Sequence, residues 1–495
     1  MIRFFQNQLR RFQKKTAIFL LPLLPSCFPA DLRHSVIQIV VIKQPVDLDQ
    51  PWQQKKPFKA DAMGILVTYG PHKTVGILTT AAMVQETAQI EGRWYVGERA
   101  EPLTLVHIEP EVNLALLAFT GNVPSGLRPV ELGDNIPLGE KISALQWNRE
   151  VTALTTYELE LRRMEVGESL LGAYFVPQYF LFGTQDSLAS SAPLLAKNRL
   201  LGLVEYQSDK ELQAIPASMI RRFLQNPTAG VPNLELSTQR VEDPALRAYY
   251  DVPSTIWGVR ITEIEATSPL HGKVKAGDFL LSVNGHEITQ RGQYIHPLWG
   301  PIPYGYLLSS LSVGDAISLS VYQSGTVQIY TTVLGRFTSN GRKIPYYSSD
   351  LTARIPHLIF GGLVFQELSL NYLRTWGPNW RLSAPLSLVQ LWSYGNKKSE
   401  TEHFVIFHKI MSDPFNTGYD LMGEERVERV NGKKIHSLQD LRLALKTPII
   451  RNKEAFAVIQ LAPTGGEVVL PYAGLEEAHV RLKENWRLQG AIFYP

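Results

Sequence analysis

Short segments rich in β-branched and aliphatic residues recur along the first half of the chain, and Gly, Pro and Asn separate them. The strand-like segments are Val36–Ile42, Gly64–Thr68, Val75–Thr79, Leu103–His107 and Leu114–Phe119. Segments of this length and spacing are typical of an all-β barrel or sandwich. This region extends to about residue 228, and we predict a terminal helix over Ala214–Leu224, where apolar residues follow helical spacing.

The chain has 495 residues, of which 44% are hydrophobic and 19% are charged. This length suggests roughly three domains, and the composition is that of a globular protein with buried cores. The formal net charge is only +3. Because the basic residues beyond the first fifteen are scattered, the sequence gives no sign of a nucleic-acid partner.

Cys27 is the single cysteine of the chain. The folded part therefore has no intramolecular disulfide and no cysteine-ligated metal site. A basic segment and a short apolar run, residues 17–25, precede Cys27, as in a bacterial export signal. Leu24–Cys27 resembles a lipobox, which implies a signal peptide over residues 1–27 and lipidation of Cys27. An ordinary signal peptide with a chance cysteine is the alternative. Either reading predicts export to the bacterial cell envelope, and the lipobox predicts membrane tethering there.

Two further units follow the first region, at about residues 240–338 and 350–475. Each contains an Asn-Gly pair between an apolar strand and a following Ile, at Asn284-Gly285 and Asn431-Gly432. Asn-Gly suits a tight turn with positive φ, so the pair of turns suggests an internal repeat. We also predict a capped amphipathic helix over Ser437–Leu445. A stretch rich in Trp and Leu, about 371–398, reads as an insertion.

Ordered short motifs of the chain resemble those of the HtrA/Deg proteases, which are trypsin-like and carry PDZ domains. The motifs are Ser35–Ile39, Gly76–Thr79, Asn113–Leu117, Pro193–Leu195, Leu201–Val204 and Ala214–Pro216 in the first region, and Gly258–Ile264, Lys275–Leu281 and Gly361–Phe365 in the later ones. The resemblance implies a mainly β fold. A chymotrypsin-like double β-barrel over residues 35–228 would be followed by two PDZ-like α+β domains at 240–338 and 350–475.

The resemblance also locates the catalytic positions of the family, and two of them are changed. Ala82 occupies the position of the histidine that acts as the general base in the family. Asn113 occupies the position of the aspartate that orients that histidine. A methyl group cannot accept a proton. An amide in place of the aspartate favours the wrong imidazole tautomer, which costs a serine protease about 10⁴ in rate. Ser190 occupies the nucleophile position.

The turn around Ser190 lacks the glycines of the family. Its sequence is Leu188-Ala-Ser-Ser-Ala-Pro193. Those glycines present backbone N–H groups to the oxyanion. Ser187 is a second serine in this segment, but it lies three residues too far from Pro193. Three other residues could replace the lost base: His72, His107 and Lys197. Each is better explained as a surface-turn or strand residue.

The PDZ resemblance predicts peptide binding by strand addition at a sheet edge, with a backbone loop at the peptide's carboxylate. The candidate residues are Trp257, Gly258 and Val259 in the first unit and Phe360, Gly361 and Gly362 in the second. We expect the first unit to read peptides, because the second PDZ domain of the family often serves as a structural or oligomer-linking module.

The sequence therefore predicts a non-catalytic, membrane-tethered HtrA/Deg-like pseudoprotease that binds peptides or unfolded envelope proteins. The alternative is a divergent serine endopeptidase that uses Ser190 with a non-standard base. A structural partner of an active paralogue is a third reading, because the family trimerises and a homotrimer or mixed assembly could form. The sequence gives no indication of a cofactor or of a histidine-based metal site.

Overall fold

The computed structural model describes residues 32–488, except residues 95–99, 149–152, 172–173, 184–187, 208–210, 266, 338–343, 346–354, 378, 395–401 and 420–421. The signal segment and Cys27 therefore lie outside the described residues.

The first part of the chain forms a closed barrel with the strand order β1-β2-β3-β6-β5-β4. The strands are β1 (Val36–Lys43), β2 (Phe58–Tyr69), β3 (Thr74–Thr79), β4 (Thr87–Arg93), β5 (Glu101–Glu109) and β6 (Leu114–Phe119). The short helix α1 (Ala81–Val84) follows β3. The interior of the barrel is packed with apolar side chains that have no solvent exposure, among them Ile37, Leu66, Ile77 and Leu117. This agrees with the apolar strands predicted from the sequence.

A second sheet follows, with the order β11-β8-β9-β10-β13-β12-β7, and β11 also pairs with β12, so that its strands close into a second barrel. The strands are β7 (Glu131–Leu132), β8 (Lys141–Asn148), β9 (Ala153–Glu168), β10 (Phe175–Phe182), β11 (Pro193–Ala196), β12 (Arg199–Gln207) and β13 (Leu212–Pro216). The predicted terminal helix is α2 (Ala217–Gln225). It begins three residues later than predicted, because residues 214–216 belong to β13.

The first PDZ-like unit is a sheet of order β15-β16-β17-β21-β22, with β18 paired to β17. Its elements are β14 (Pro232–Asn233), β15 (Leu236–Gln239), α3 (Pro244–Tyr249), β16 (Val259–Ile264), β17 (Phe279–Val283), β18 (His286–Glu287), β19 (Gln293–His296), β20 (Gly300–Pro303), α4 (Gly305–Ser309), β21 (Ala316–Gln323), β22 (Thr326–Val333) and β23 (Gly335–Arg336). The β19–β20 hairpin docks on the second barrel, where Trp299 donates from Nε1 to the carbonyl of Ile136 at 2.8 Å.

The second PDZ-like unit is a sheet of order β24-β25-β26-β27-β30-β29, with β28 paired to β27 and β31 to β30. Its elements are β24 (His357–Phe360), β25 (Leu363–Glu367), α5 (Leu370–Leu373), α6 (Trp380–Ser383), α7 (Leu386–Tyr394), β26 (Val405–Ile410), β27 (Glu425–Val430), β28 (Lys433–Lys434), α8 (Leu438–Leu445), β29 (Ile449–Arg451), β30 (Glu454–Ala462), β31 (Glu467–Pro471) and α9 (Leu475–Asn485). The predicted cap of α8 is present, since Ser437 Oγ accepts from the N–H of Asp440.

The stretch predicted as an insertion, 371–398, contains most of α5 and all of α6 and α7. Trp380, Leu388 and Leu373 form a separate buried cluster there. Arg374 donates to the carbonyl of Leu171 beside the second barrel. The insertion therefore fastens the second PDZ-like unit to that barrel.

Candidate functional site

Three loops between the two barrels bring together the residues predicted at the catalytic positions. Asn113 follows the 3-10 turn Pro110–Val112, and its Oδ1 accepts a 2.8 Å hydrogen bond from the N–H of Ala82 in α1. The carbonyl of Ser190 accepts a 2.9 Å bond from the N–H of Met63 in β2. Ser191, the next residue, reaches Thr80 at the start of α1. Ala82, Asn113 and the Ser190 turn thus surround one site.

Both polar atoms of the Asn113 side-chain amide, Oδ1 and Nδ2, make hydrogen bonds. Its Nδ2 donates a 2.9 Å hydrogen bond to Glu205, and Gln178 approaches the second carboxylate oxygen of Glu205 at 3.5 Å. Burial raises the pKa of Glu205. The register of β12 against β13 shifts between Val204 and Tyr206. Glu205 is therefore the bulged residue, and a bulge of this kind redirects a side chain.

Glu205 is not among the residues predicted from the sequence, although one signal for it was present. It is an acid that directly follows the apolar run Leu201–Val204 in a strand that is otherwise buried. A carboxyl group therefore still reaches this site, but from position 205 and not from 113.

At the position of the general base, the side chain of Ala82 has no atom that can accept a proton. The carbonyl of Ala82 accepts a 2.6 Å hydrogen bond from Nζ of Lys43. Burial lowers the pKa of Lys43, and the nearby Glu86 opposes that shift. Lys43 thus fixes the backbone of α1 through the carbonyl of Ala82.

Two backbone N–H groups of the turn before Ser190 are already bound. The N–H of Leu188 donates to Oε1 of Gln207 at 2.7 Å, and the N–H of Ala189 donates to Oε1 of Gln146 at 3.2 Å. An oxyanion needs such donors to be unoccupied and aimed at the reacting oxygen. Two glutamine side chains occupy the donors in this structure.

Ser191 stands where the resemblance places a glycine, and its φ of 62° lies in the left-handed region that favours glycine. Its buried Oγ lies 3.1 Å from the N–H of Thr80 and 2.6 Å from Oγ1 of Thr80. The hydroxyl therefore serves as a structural link between the turn and α1. Ser190, in contrast, is exposed.

The residues considered as replacement bases lie elsewhere. His72 is exposed in the β2–β3 turn, and His107 lies in β5 with its ring 6.0 Å from that of Phe223. Lys197 is in the β11–β12 turn, beyond a four-residue strand that spans about 13 Å. Ser187 lies outside the described residues.

The proposed peptide-binding residues of the first unit do not lie at a free edge. Val259 begins β16, which pairs with both β15 and β17. Gly258 packs so closely on β17 that a Cβ would lie 2.3 Å from the carbonyl oxygen of Leu280. Trp257 is exposed next to this strand. Strand addition needs unpaired backbone, and β15 and β22 are the edges of this sheet in the part of the chain that the structure describes.

The proposed residues of the second unit form a closed turn. Phe360 is fully buried, and Gly361-Gly362 connects β24 to β25 with φ values of 56° and 87°. The N–H of Gly361 donates to Nε2 of His479 at 2.9 Å, and its carbonyl accepts from Nδ2 of Asn416 at 2.9 Å. The N–H and the carbonyl of Gly361 are therefore already bound within the protein. The assignment of Phe360, Gly361 and Gly362 to peptide binding stays a prediction.

Within the described residues, no helix is long and apolar enough to cross a bilayer. Among the same residues, no group of three or more His, Cys, Asp or Glu side chains could hold a metal ion.

Comparisons with known proteins agree with this architecture. Residues 344–490 match the family model of the PDZ domain. Protease Do-like 2, chloroplastic, of Arabidopsis thaliana is 22% identical over 429 residues, which cover 83% of this chain and 68% of that protein. Protease Do-like 4, mitochondrial, of the same plant is 20% identical over 472 residues, which cover 93% and 85%. The solved structure of HtrA-type protease AlgW with decapeptide covers 62% of this chain and 97% of its own, at 17% identity and a TM-score of 0.45.

The PDZ family model and the Do-like relatives support the relationship to the HtrA/Deg-type, PDZ-containing, trypsin-like proteases. The predicted fold class is confirmed: the chain is mainly β, with barrel-forming sheets followed by PDZ architecture. The matched PDZ segment is wider than the predicted 350–475 and includes α9.

Proposed function

We propose that this protein is a non-catalytic, HtrA/Deg-like pseudoprotease that holds extended peptides or unfolded envelope proteins. One observation carries the proposal. The site around Ser190 has a methyl group in place of the base, and its Leu188 N–H is bound to Gln207 Oε1. A serine without a base lacks the group that makes its hydroxyl a nucleophile. The bound Leu188 N–H also removes one donor that would stabilise the oxyanion.

The first PDZ-like unit is the proposed peptide reader, and the binding edge is β15. This strand pairs on one side with β16, and its other side is the sheet edge. Half-buried Leu236 on β15 and Leu307 and Leu308 on α4 offer apolar surface next to that edge. Tyr304 OH lies 3.1 Å from Oγ1 of Thr238 and joins the strand to the start of α4. An extended peptide would add its backbone to β15 and pack alternate side chains on this surface.

Cleavage and binding can be tested on the same preparation. The purified protein is incubated with unfolded casein and with a fluorophosphonate probe, beside Ser190→Ala. We expect neither cleavage nor labelling in either protein. Labelling that disappears in Ser190→Ala would establish the divergent endopeptidase and overturn the proposal. Suppressed aggregation of a denatured client that is the same in both proteins is the expected binding result.

The binding edge is tested with proline substitutions in β15. Proline removes a backbone N–H, and successive N–H groups of an edge strand point to opposite sides. One of Ser237→Pro and Thr238→Pro therefore removes an outward donor. We expect that variant to lose client binding. Gln328→Pro in β22 is the matched control, because it alters the other edge of the same sheet. Equal loss in all three variants would contradict binding at β15.

We further propose that Cys27 carries the lipid that tethers the protein to the cell-envelope membrane. The support is the position of the single cysteine directly after a basic segment and an apolar run. Metabolic labelling with a fatty acid should mark the wild type and fail in Cys27→Ala. Native mass spectrometry, alone and after mixing with an active paralogue, would reveal a homotrimer or a mixed assembly.

A further inference from the structure

One segment of the second PDZ-like unit is strongly basic. Residues 429–453 contain seven Lys or Arg and one acid, whereas the whole chain carries a formal net charge of only +3. The acid is Asp440 in the first turn of α8, where its carboxylate accepts from the N–H of His436 at 3.0 Å. All seven basic residues are exposed: Arg429, Lys433, Lys434, Arg442, Lys446, Arg451 and Lys453. We call the part of the unit that carries these seven residues the basic end.

The β27–β28 turn and the last turn of α8 form one surface at the basic end. Asn431 in the turn donates from Nδ2 to the carbonyls of Ala444 and Thr447, both at 3.0 Å. Nζ of Lys433 donates to Oγ1 of Thr447 at 3.1 Å. Lys446 caps the carboxyl end of α8 in the same place. Basic residues of two separate elements therefore lie side by side.

The β29–β30 hairpin extends this surface. Ile459 of β30 lies opposite Val430 at the end of β27, and β30 begins five residues earlier at Glu454. At about 3.4 Å per residue, the hairpin projects roughly 17 Å past the end of β27. Its turn, Asn452-Lys453, has φ values of 52° and 68°, which suit a tight two-residue turn. The basic end therefore has a protruding tip.

Two apolar side chains are exposed among these charges. Leu443 on α8 is 54% exposed, and Ile450 on β29 is 64% exposed. Leu443 is three residues from Lys446, so the two side chains are neighbours on the helix surface. Ile450 directly precedes Arg451 in the hairpin. Each apolar side chain thus has a basic neighbour.

Ile450 lies on the side of the sheet that carries α8. Ala457 and Ile459 of β30 are buried in one cluster with Leu441 of α8. Alternate residues of a strand face the same side, so Ala455 faces α8 as well. Ile450 is directly opposite Ala455 in the ladder and shares its face. Leu443 and Ile450 therefore lie on the same side of the unit.

A surface with this combination matches an anionic bilayer. Lysine and arginine attract the headgroup phosphates, and exposed apolar side chains enter the boundary with the acyl chains. A surface for single-stranded nucleic acid would instead offer aromatic rings for base stacking, and Leu443 and Ile450 have none. Glu428 and Glu454 border the surface, but the seven basic residues outnumber them.

We infer that the basic end of the second PDZ-like unit docks on an anionic lipid bilayer, with Leu443 and Ile450 as its apolar contacts. This membrane contact is made by the folded body of the protein. It goes beyond the proposed peptide binding, and it does not depend on a lipid at Cys27.

The single cysteine of the chain allows a local test. In the full-length chain, Cys27→Ala removes any acyl chain and Ile450→Cys introduces one site for the environment-sensitive dye nitrobenzoxadiazole. The vesicles contain phosphatidylcholine and phosphatidylglycerol in a three-to-one ratio, and vesicles of phosphatidylcholine alone are the reference. We expect the dye at position 450 to gain fluorescence with the anionic vesicles only. Ile295→Cys is the matched control, because Ile295 is 67% exposed on the β19–β20 hairpin, and we expect no gain there.

Charge removal tests the basic residues. Lys434→Gln/Lys446→Gln/Lys453→Gln, in the chain labelled at position 450, should raise the lipid concentration for half of the gain at least about tenfold. The reason is that each cation near an anionic surface is worth about fivefold in affinity. Lys59→Gln/Lys73→Gln/Lys273→Gln removes three exposed lysines from other parts of the chain and should have no such effect.

Truncation tests the apolar contact. Leu443→Ala in the same labelled chain should raise that lipid concentration about fivefold, because less apolar surface leaves water on docking. Leu382→Ala is the control, since Leu382 is 89% exposed on α6. High salt should reduce the gain of the labelled chain without any further substitution, so the test stands even if a lysine variant fails to fold.

Three results would overturn the inference. The first is an equal gain, or no gain, at positions 295 and 450. The second is a gain that the two lysine variants lower equally. The third is binding of a single-stranded oligonucleotide that the Lys434/Lys446/Lys453 variant loses, together with no gain on vesicles, which would assign the basic end to nucleic acid. None of these results bears on cleavage of casein or on client binding at β15.

Discussion

The N–H of Ala82 donates a 2.8 Å hydrogen bond to Oδ1 of Asn113, and the HtrA/Deg resemblance assigns these two positions to the catalytic histidine and aspartate. The same amide donates from Nδ2 to the buried Glu205. An asparagine can accept and donate at once, whereas a carboxylate only accepts. The substitution at 113 is therefore matched to the acid that the β12 bulge brings in.

Asn113→Asp should destabilise the protein by about 1–3 kcal/mol at pH 7, because it places two carboxyl groups in contact in a buried site. The loss should be smaller at pH 5, where the pair holds a proton more readily. Adding Glu205→Gln should recover most of the loss, since its amide can donate to Asp at 113. Urea denaturation of the three variants measures this, and equal stability of Asn113→Asp and wild type would refute the coupling.

Restoring the two lost triad residues should not restore cleavage. In Ala82→His with Asn113→Asp and Glu205→Gln, the imidazole and its acid are present, but the N–H of Leu188 still donates to Gln207. Removing one oxyanion donor alone costs about 10²–10³ in rate. Fluorophosphonate labelling of this triple variant should be no higher than that of the control, in which Ala82→Gln is combined with Asn113→Asp and Glu205→Gln. Labelling well above that level would mean that the turn opens in solution.

Two substitutions of Ser191 separate the free-energy cost of its lost hydrogen bonds from the cost of its left-handed backbone. Ser191→Ala removes the partner of the Thr80 N–H and hydroxyl and keeps the left-handed backbone, so it should cost about 1–3 kcal/mol. Ser191→Gly loses the same bonds but relieves a backbone penalty of about 1 kcal/mol. Chemical denaturation should therefore rank wild type above the glycine variant and the glycine variant above the alanine variant. The reverse order of the two variants would contradict this account.

The sequence predicted the barrels and PDZ-like units because period-two burial and turn residues are local signals. The Asn-Gly turns and the Ser437 cap lie where local chemistry places them. Glu205 could not be assigned, because its direction depends on a bulge created by the register of two strands. The edge strand of the second unit could not be assigned for a related reason, since β24 and β25 both read as apolar strands and only their pairing shows which of them is the edge.

Glu109 should make stability fall as pH rises. Burial, followed by the neighbouring Glu111, raises its pKa to about 8, and Arg222 and Arg336 oppose the shift. A raised carboxyl pKa favours the folded state below the unfolded value near 4.5, and this contribution is lost as pH approaches 8. The slope is at most about 1.4 kcal/mol per pH unit. Glu109→Gln should flatten the slope between pH 5 and 8 in denaturation series.

The control for this series is Glu158→Gln, which removes the same charge from an exposed face of β9. If Glu109→Gln and Glu158→Gln leave the same pH slope as the wild type, the buried carboxyl does not control the pH dependence.

The turn that holds β24 in place can be compared with an open turn of the same conformation. Gly362 has a φ of 87°, and a Cβ there would lie 2.2 Å from Nδ2 of Asn416 and 2.5 Å from the carbonyl of Met411. Gly285 has a φ of 78° and no neighbouring atom within 4 Å of such a Cβ. Both Gly→Ala changes incur a left-handed penalty of about 1 kcal/mol.

Only Gly362→Ala should also force Asn416 away from Gly361 and loosen the β24–β25 connection. We expect it to cost about 1–3 kcal/mol more than Gly285→Ala in urea denaturation. We also expect it to speed hydrogen exchange in β24 while β21 and β22 stay protected. Equal costs for the two variants would show that the turn does not hold β24, because the clash is what distinguishes the two glycines.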